Sequence, residues 1–355
     1  MAALVNVPPD GASPDESVPK QISVSDVDRE LDRAWKSLAA IRGDVMALRS
    51  CTLNVVTLVP DARQAGTASS AIGSLAAVHP IRAITVVEDA EAPEEAVRAW
   101  VGVDGSKGSA DHACGAEIML RAHPDSGPRA LSAVRGLLAA DLPVALWWRG
   151  GPPLRAPLFA SMAAFADKII VDSVRFGDGE AGLDTLRRLI EYDGRRAAIG
   201  DLNWERIAAW RLSIAACFDH ADVLALLPEL DRCTIEFATN SVRTTPASAR
   251  ALLLAGWLTD RVPRLARRIR LNARRDEHPL TGSILRVVLS SSNSGCEVAV
   301  SWAGSAEDMS AAARGPAGQE VRSWKFSRDT QSEAELLHRC VDELARDPLL
   351  EAALT

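Results

Sequence analysis

Five apolar runs, separated by segments with helical spacing, constrain the fold of this chain more than any other feature. The runs do not alternate apolar and polar residues, and strands of this kind are buried on both faces of a sheet. Such burial requires helices above and below the sheet, which is the arrangement of a parallel sheet. We therefore predict an α/β fold with a doubly wound, mostly parallel sheet of the Rossmann-like type. The runs are Thr52–Val59, Ile81–Val87, Cys114–Arg121, Pro143–Trp148 and Lys168–Asp172.

The pattern changes near residue 200, after which strands and helices no longer alternate. Residues 1–22 contain prolines and acids with little apolar content, which predicts a disordered N-terminal segment. Residues 23–200 carry the alternating pattern of the Rossmann-like α/β domain. Residues 201–355 begin with a helix and continue with β-rich runs and a final helix, which predicts a smaller C-terminal α+β domain.

Two helix starts in the predicted C-terminal domain have recognisable signals. Thr245 precedes Pro246, which combines an N-cap residue with proline at the first helical position. Thr330 precedes Glu333 by three residues, the spacing of a capping box. This second signal predicts a final helix that continues through Leu344.

The composition excludes several classes of protein. Hydrophobic residues make up 47% of the 355 residues, but no run is long enough to span a membrane, so no membrane contact is expected. The net charge of −7 does not favour binding to nucleic acid. The N-terminus lacks the pattern of a signal peptide, which favours a cytoplasmic location. The six cysteines lie far apart and are expected to be reduced and mostly buried.

Gly177–Gly182 matches the pattern GxGxxG and lies between a predicted strand and a predicted helix. One interpretation is a loop that binds pyrophosphate. However, Asp178 and Glu180 would place two negative charges where the phosphates must lie, and the loop follows the fifth predicted strand rather than the first. A glycine-rich turn without a ligand is the favoured interpretation.

No other pattern points to a cofactor, a metal ion or a catalytic nucleophile. The six histidines are scattered, without an HExxH motif or a Cys/His pair at ligand spacing. The GxSxG motif of a hydrolase nucleophile is absent from the sequence as well. We therefore expect neither a cofactor nor a metal site.

Seven arginines fall within fifteen residues of the C-terminal region. Guanidinium groups hold oxyanions through paired hydrogen bonds, so one interpretation is a surface for a phosphate or an acidic partner. Charged stretches are more often solvated, and alanine rather than aromatic residues lies between these arginines, which argues against stacking on bases. A solvated surface or a protein contact is favoured over a ligand pocket. The arginines are Arg261, Arg264, Arg267, Arg268, Arg270, Arg274 and Arg275.

Trp147, Trp148 and Arg149 end the fourth predicted strand, just before a loop rich in glycine and proline. One tryptophan is expected to face the core. The other would lie at the strand's carboxyl edge, where an indole beside an arginine suits a protein interface. The alternative, that both indoles pack beneath helices, has equal weight.

The segment DLNW opens the predicted C-terminal domain. Asn203 can cap a helix that starts at Trp204, and Asp201 adds negative charge near the positive end of that helix. Capping does not explain why Trp204, Trp210 and Arg211 lie on different faces of the helix. We therefore expect part of this helix to face another element or another chain.

Four segments, taken together, carry a resemblance to a known family. They are LPVALWWRGGPP at 142–153, ADKIIVDSVRF at 166–176, DLNWERIAAWRLSIAACFD at 201–219 and ALLLAGWL at 251–258. With these segments in this order, the chain resembles the OpcA family of glucose-6-phosphate dehydrogenase assembly proteins. The resemblance spans roughly 24–347, and DLNW followed by the helix with the WR pair is its most specific part.

The resemblance implies a protein without enzymatic activity that binds glucose-6-phosphate dehydrogenase and promotes its oligomerisation and activity in the oxidative pentose phosphate pathway. In photosynthetic relatives this partnership is associated with thioredoxin control through cysteines, whereas no two cysteines are close in sequence here. The alternative function is a sugar-phosphate- or nucleotide-binding enzyme or sensor that uses the carboxyl ends of the strands. The predicted partner-binding residues are Trp147, Trp148, Arg149, Asp201, Asn203, Trp204 and Arg211.

Overall fold

The structure, a computed structural model, describes residues 21–42, 51–93, 97–103, 116–192, 197–239, 247–275, 282–302, 308–327 and 332–355. The helices in these ranges are α1 (Val27–Arg42), α2 (Ala62–Ala76), α3 (Gly127–Leu137), α4 (Pro157–Ala163), α5 (Gly179–Glu191), α6 (Leu202–Arg206), α7 (Ala208–Cys217), α8 (Ala221–Leu224), α9 (Ala249–Arg261), α10 (Glu333–Asp342) and α11 (Pro348–Ala353). The strands are β1 (Leu53–Val59), β2 (Ile81–Glu88), β3 (Arg98–Val103), β4 (Ala116–Ala122), β5 (Val144–Trp148), β6 (Lys168–Val171), β7 (Ala198–Asp201), β8 (Arg232–Thr239), β9 (Ile269–Arg275), β10 (Ile284–Ser290), β11 (Glu297–Trp302), β12 (Asp308–Arg314) and β13 (Glu320–Ser327).

Seven of the described strands form one sheet in the order β3-β4-β2-β1-β5-β6-β7. β1 pairs in parallel with β2 on one side and with β5 on the other, and the pairs β2–β4 and β5–β6 are also parallel. β3 runs antiparallel to β4 at one edge. The direction of strand succession therefore reverses at β1, and the carboxyl ends of β1 and β5 lie side by side.

The central strands of this sheet are buried, and most of their residues are apolar. All seven residues of β1 and all five residues of β5 are buried. Asn54, a polar residue within β1, is satisfied by two hydrogen bonds: its side-chain nitrogen donates to Ala139 O (3.0 Å), and its side-chain oxygen accepts from Ala139 N (2.8 Å). The observed strands thus confirm the predicted runs.

In the described part of the chain, six further strands form a second sheet in the order β13-β12-β11-β10-β8-β9. Neighbouring strands run antiparallel from β13 to β8, and β9 runs parallel to β8 at the other edge. Helix α7 contacts β11 and β12, α8 contacts β13, and α9 contacts β8. Both sheets mix parallel and antiparallel pairs, so the structure confirms a mixed α/β protein.

Three described strands, β3, β7 and β12, were absent from the prediction. β7 has only four residues, too few for a pattern to stand out. β12 alternates between exposed and buried positions, but its buried positions hold Met309, Ala311 and Ala313, which give a weak hydrophobic signal. β3 pairs through antiparallel hydrogen bonds at an edge that the parallel pattern did not suggest.

The predicted helix starts of the C-terminal region are only partly visible. The pair 245–246 and residue 330 lie outside the described residues. The observed helix α9 begins at Ala249, after Ser248. The helix predicted through residue 344 is observed as α10, which ends at Asp342, and the prediction missed the separate helix α11 that follows. Asp347 caps α11 by accepting hydrogen bonds from Leu349 N (2.8 Å) and Leu350 N (3.1 Å).

Residues 1–20 of the predicted N-terminal segment lie outside the described residues. Ile22, which the prediction placed in the same segment, donates its backbone N–H to Ala99 O (2.9 Å) in β3. The segment therefore enters the fold by Ile22.

The chain divides into two compact units. The first comprises residues 1–172, 192–200 and 333–346, and the second comprises 173–191, 201–332 and 347–355. The first unit contains the strands of the seven-stranded sheet and α10, and the second contains the six-stranded sheet with α5, α9 and α11. No helix in the described part of the chain is both long enough and apolar enough to span a membrane.

Candidate functional site

Trp147 and Trp148 end β5, and both are buried, with exposed fractions of 1% and 4%. The indole Nε1 of Trp148 donates to Gly151 O (2.7 Å), and its ring meets Phe159 edge-on at 5.3 Å between centroids. A Cβ at Gly150 would lie 2.3 Å from the Trp148 ring, so the indole requires glycine at that position. Both tryptophans thus take the packed alternative in this structure.

Arg149 joins the carboxyl end of β5 to two helices of the first unit. Its side chain is 4% exposed, donates from Nη1 to Gln64 O (2.7 Å) and from Nη2 to Glu333 Oε2 (2.6 Å), and lies over the Trp147 ring at 4.9 Å. A buried guanidinium requires an opposite charge nearby. Glu333, expected from the sequence to take part in a capping box, is the first residue of α10 and serves as the counter-ion of Arg149.

Asp201 is the N-cap of α6 and the centre of a buried polar network in the second unit. Its Oδ1 accepts from Ser173 N (2.9 Å) and Asn203 N (3.1 Å), and its Oδ2 accepts from Ser173 Oγ (2.8 Å). Asn203 donates from Nδ2 to Ser173 Oγ (3.1 Å) and accepts at Oδ1 from Arg250 Nε (3.1 Å). The prediction that Asn203 caps a helix starting at residue 204 is wrong, because the helix begins at Leu202 and Asp201 caps it.

Trp204 and Arg211 form a second tryptophan–arginine contact. Trp204 is 1% exposed and donates from Nε1 to Asp347 Oδ2 (2.7 Å). The guanidinium carbon of Arg211 lies 3.5 Å from the centroid of the Trp204 ring. Burial lowers the pKa of Arg211, while the charges of Glu205 and Asp347 oppose this effect. The helix predicted as continuous breaks at Ile207, and the turn there brings Arg211 over the indole.

The predicted partner-binding residues thus form two clusters rather than one. Six of the seven side chains are buried, and Arg211 is half-buried. Each of them contacts residues of its own unit in this conformation, and their contact with a partner stays a prediction. The first unit holds Trp147, Trp148 and Arg149, and the second unit holds Asp201, Asn203, Trp204 and Arg211.

The GxGxxG segment forms the turn before α5 and the first residues of that helix. Gly177 has a φ of 126°, in the region that favours glycine. A Cβ at Gly179 would lie 1.8 Å from Ala247 O, so this position also requires glycine. Asp178 Oδ1 accepts from Ala181 N (3.2 Å) within the turn. Turn geometry therefore accounts for the glycine at 177, and a close backbone contact accounts for the glycine at 179.

The arginine-rich stretch covers the end of α9 and the edge strand β9. Arg268 pairs with Asp231 (2.7 Å), the residue just before β8. Arg274 pairs with Glu236 (2.8 Å) within β8. Five of the seven residues of β9 are exposed. The arrangement is that of a charged, solvated surface strand.

Five of the six cysteines lie in the described residues, and all five are free thiols. Four of them are buried, as predicted from the sequence. Burial raises the pKa of Cys217 to about 12 and that of Cys233 to about 12. Thiols with such pKa values carry little thiolate near neutral pH and react slowly with disulfides. The sixth, at position 114, lies outside the described residues.

The structure also brings together residues that the sequence did not connect. His79, His338 and Asp342 lie within the first unit, and one potential ligand atom from each residue lies within 4.8 Å of the other two. The two histidines are 259 positions apart. The only signal in the sequence is the spacing of four residues between His338 and Asp342, which places both on one helix face.

A shallow groove of about 430 Å³ lies on the second sheet. Its lining combines small side chains with three basic ones, together with Glu297 and Trp324. One solvated face is usual for an antiparallel sheet, so the groove alone points to no ligand. Its lining includes Ala299, Ser310, Ala312, Arg286, Arg314 and Lys325.

Two family models match the chain in succession. The model described as the N-terminal domain of a glucose-6-phosphate dehydrogenase subunit matches residues 72–188. The model described as the C-terminal domain of that subunit matches residues 197–354. Both models carry the OpcA name.

Curated relatives named "Putative OxPP cycle protein OpcA" also match. The one from Nostoc punctiforme is 36% identical over 129 residues, which is 36% of this chain and 26% of the relative. The one from Synechocystis is 29% identical over 206 residues, which is 57% of this chain and 40% of the relative. The matches thus span about a quarter to two fifths of the length of these relatives.

A solved structure, "putative oxidoreductase yvaA" from Bacillus subtilis, is similar at 11% identity with a TM-score of 0.36, covering 85% of this chain and 93% of that chain. A score this low does not establish a shared fold.

Proposed function

Because this chain belongs to the OpcA family of glucose-6-phosphate dehydrogenase subunits, we propose that it is a non-catalytic assembly factor that binds this dehydrogenase and promotes its active oligomer. Such activation requires tighter binding to the active oligomer than to other forms, since equal affinity for both would shift no equilibrium. The protein would then act at the start of the oxidative pentose phosphate pathway.

The observation that carries the proposal is the succession of the two family models. They follow one another along the chain with only residues 189–196 between them, and each is described as part of a subunit of the dehydrogenase. The residues that the two models match belong to both compact units, so both units support a role as a subunit.

Three finer features belong to the same proposal. The reversal of strand order at β1 supports a Rossmann-like, doubly wound class for the first sheet. The chain passes between the two units at five places, and the passage at residues 200 and 201 supports the proposed boundary. The free thiols of the described cysteines suit a reducing compartment, which supports a cytoplasmic location.

For the predicted partner-binding residues, we propose that the buried members shape the contact surface and that Arg211 meets the partner directly. Arg211 is half-buried, and its guanidinium is held on the Trp204 ring. A guanidinium fixed in this way loses little further freedom when it binds a carboxylate. An acidic group on the dehydrogenase is therefore the proposed contact of Arg211.

The central experiment titrates the full chain into the purified dehydrogenase of the same organism. Dehydrogenase activity and the mass of the complex, measured by mass photometry, should rise over the same concentration range. No change in either quantity would contradict the proposal. A thermal shift of this chain with glucose 6-phosphate or NADP alone, without activation, would instead support the sugar-phosphate- or nucleotide-binding alternative.

A variant tests the proposed contact of Arg211. Arg211→Ala should weaken activation by about tenfold in the concentration required, which corresponds to about 1.4 kcal/mol. The matched control is Arg188→Ala, which removes an arginine that is 65% exposed and paired with Asp184 on α5. Equal effects of the two substitutions would contradict a specific role of Arg211.

A further inference from the structure

His79, His338 and Asp342 form a compact group of metal-binding side chains within the first unit. His79 Nε2 lies 2.5 Å from His338 Nδ1 and 3.3 Å from Asp342 Oδ1. His338 Nε2 lies 3.6 Å from Asp342 Oδ2. The two histidine side chains are 24% and 35% exposed, and that of Asp342 is 50% exposed. The group is therefore open to water on one side.

The two ring nitrogens face one another within hydrogen-bonding distance. Two nitrogens bound to one tetrahedral Zn²⁺ at about 2.05 Å would lie about 3.3 Å apart. An opening of about 0.8 Å, available to partly exposed side chains, converts the observed contact into that geometry.

Electrostatics at this position favour a cation. Asp342 is the last residue of α10, where the partial negative charge of the helix end disfavours a carboxylate. His79 follows the end of α2, and its backbone N–H donates to Leu75 O (2.8 Å) in the last turn of that helix. The carboxyl ends of two helices and one carboxylate thus surround the two imidazoles, and a bound cation would offset their combined negative potential.

We propose that His79, His338 and Asp342 bind a divalent transition metal ion of the Zn²⁺ class. Two imidazole nitrogens and one carboxylate form a donor set that suits such ions better than Mg²⁺ or Ca²⁺. Those two ions bind oxygen ligands instead. Three protein ligands leave the fourth tetrahedral position to water, in keeping with the exposure of the group.

The bound ion would tie α10 to the turn that follows α2. These two helices already contact one another in the first unit. Because the ligands come from positions 79 and 338–342, the ion would close a long loop of the chain and stabilise the packing of α10. The consequence is a first unit whose stability responds to metal.

The test uses the full chain after treatment with a chelator. Isothermal titration with ZnCl₂ should show one ion bound per chain, and thermal unfolding should move to higher temperature with added Zn²⁺. Co²⁺ should give the absorption bands of a tetrahedral site. His338→Gln and His79→Gln should each weaken binding by more than about tenfold, since losing a ligand costs more than losing a residue that only orients one.

His123→Gln is the matched control. It removes a histidine of the same unit that also lies near a carboxylate, at 3.8 Å from Asp125, but is not a member of the proposed group. Asp342→Asn, a conservative change at an exposed position, provides a ligand variant that should fold even if a histidine variant does not. Absence of 1:1 binding to the wild-type chain, or binding by Asp342→Asn and both histidine variants that equals that of His123→Gln, would overturn the proposal.

Discussion

The described part of each unit contains a cluster of a tryptophan, an arginine and a carboxylate, and the two clusters use these groups differently. In the first unit, the guanidinium of Arg149 bonds directly to Glu333 at 2.6 Å and lies over Trp147 at 4.9 Å. The carboxylate thus neutralises the cation, and the ring provides a secondary contact.

The second unit reverses this assignment. The guanidinium of Arg211 lies closer to its ring, at 3.5 Å from the centroid of Trp204. The carboxylate of Asp347 accepts from the indole N–H at 2.7 Å. Here the ring faces the cation, and the carboxylate holds the ring.

The difference follows from burial. The side chain of Arg149 is 4% exposed, so its lost hydration must be replaced by an opposite charge. Arg211 keeps part of its hydration, so the face of an aromatic ring is sufficient. In both units the carboxylate comes from the range 332–355. Glu333 fixes α10 to the first unit, and Asp347 fixes α11 to the second.

The largest expected effect is at the ion pair of the first unit. Glu333→Ala should lower the free energy of unfolding by about 3 kcal/mol, because it leaves the Arg149 guanidinium buried without its counter-ion. Urea denaturation at neutral pH measures the change. The double variant Arg149→Met with Glu333→Leu should regain much of the loss, since an apolar pair tolerates burial. A double variant no more stable than Glu333→Ala would show that the loss of stability does not come from the buried charge of Arg149.

The next effect is at the carboxylate of the second unit. Asp347→Ala should cost about 2 kcal/mol, because it removes the cap of α11 and leaves the indole N–H of Trp204 buried without an acceptor. Asp347→Ser keeps a capping oxygen but is too short to reach the indole, so it should lose less. Equal losses in urea denaturation would mean that the cap of α11 contributes little and that the hydrogen bond to Trp204 accounts for the loss.

A smaller effect is expected for the cation of the second unit. Arg211→Leu should cost about 1 kcal/mol, since it removes a cation–π contact while an apolar side chain still covers the ring. Arg211→Lys should recover part of this through its own charge. A loss as large as that of Glu333→Ala would show that Arg211 depends on a charge partner as Arg149 does. The proposed difference between the two clusters would then be wrong.

The smallest effect concerns a carboxylate at the end of β2. Burial raises the pKa of Glu88 above 4.5, so the folded state favours its protonated form. Its contribution to stability is present below pH 4.5 and is lost as the pH rises through the higher pKa of the folded state. Glu88→Gln should therefore stabilise the chain at pH 7 by about 0.5 kcal/mol or less, with no difference near pH ~3.5. A stabilisation at both pH values would rule out desolvation as the cause.

The sequence predicted the buried strands of the first sheet well and the sites poorly. β1, β2, β5 and β6 begin and end within about two residues of their predicted bounds, because each is a short, mostly apolar run. The WWR and DLNW segments were recognised as important, yet the exposure of their side chains was not predictable. Whether an indole is buried depends on Gly150, Phe159 and other residues that pack against it, and these contacts follow from the fold rather than from spacing.

Hydrophobic patterning by itself predicted the α/β class, and the order of four sequence segments carried the resemblance to the OpcA family. These properties can be predicted from residues that are close in sequence, because the apolar pattern of a segment indicates how it is buried. Only the tertiary structure decided the partners of Arg149 and Trp204 and the meeting of His79 with His338. Those pairs join residues that lie 143 to 259 positions apart, and no local pattern encodes which distant carboxylate or imidazole reaches a given side chain.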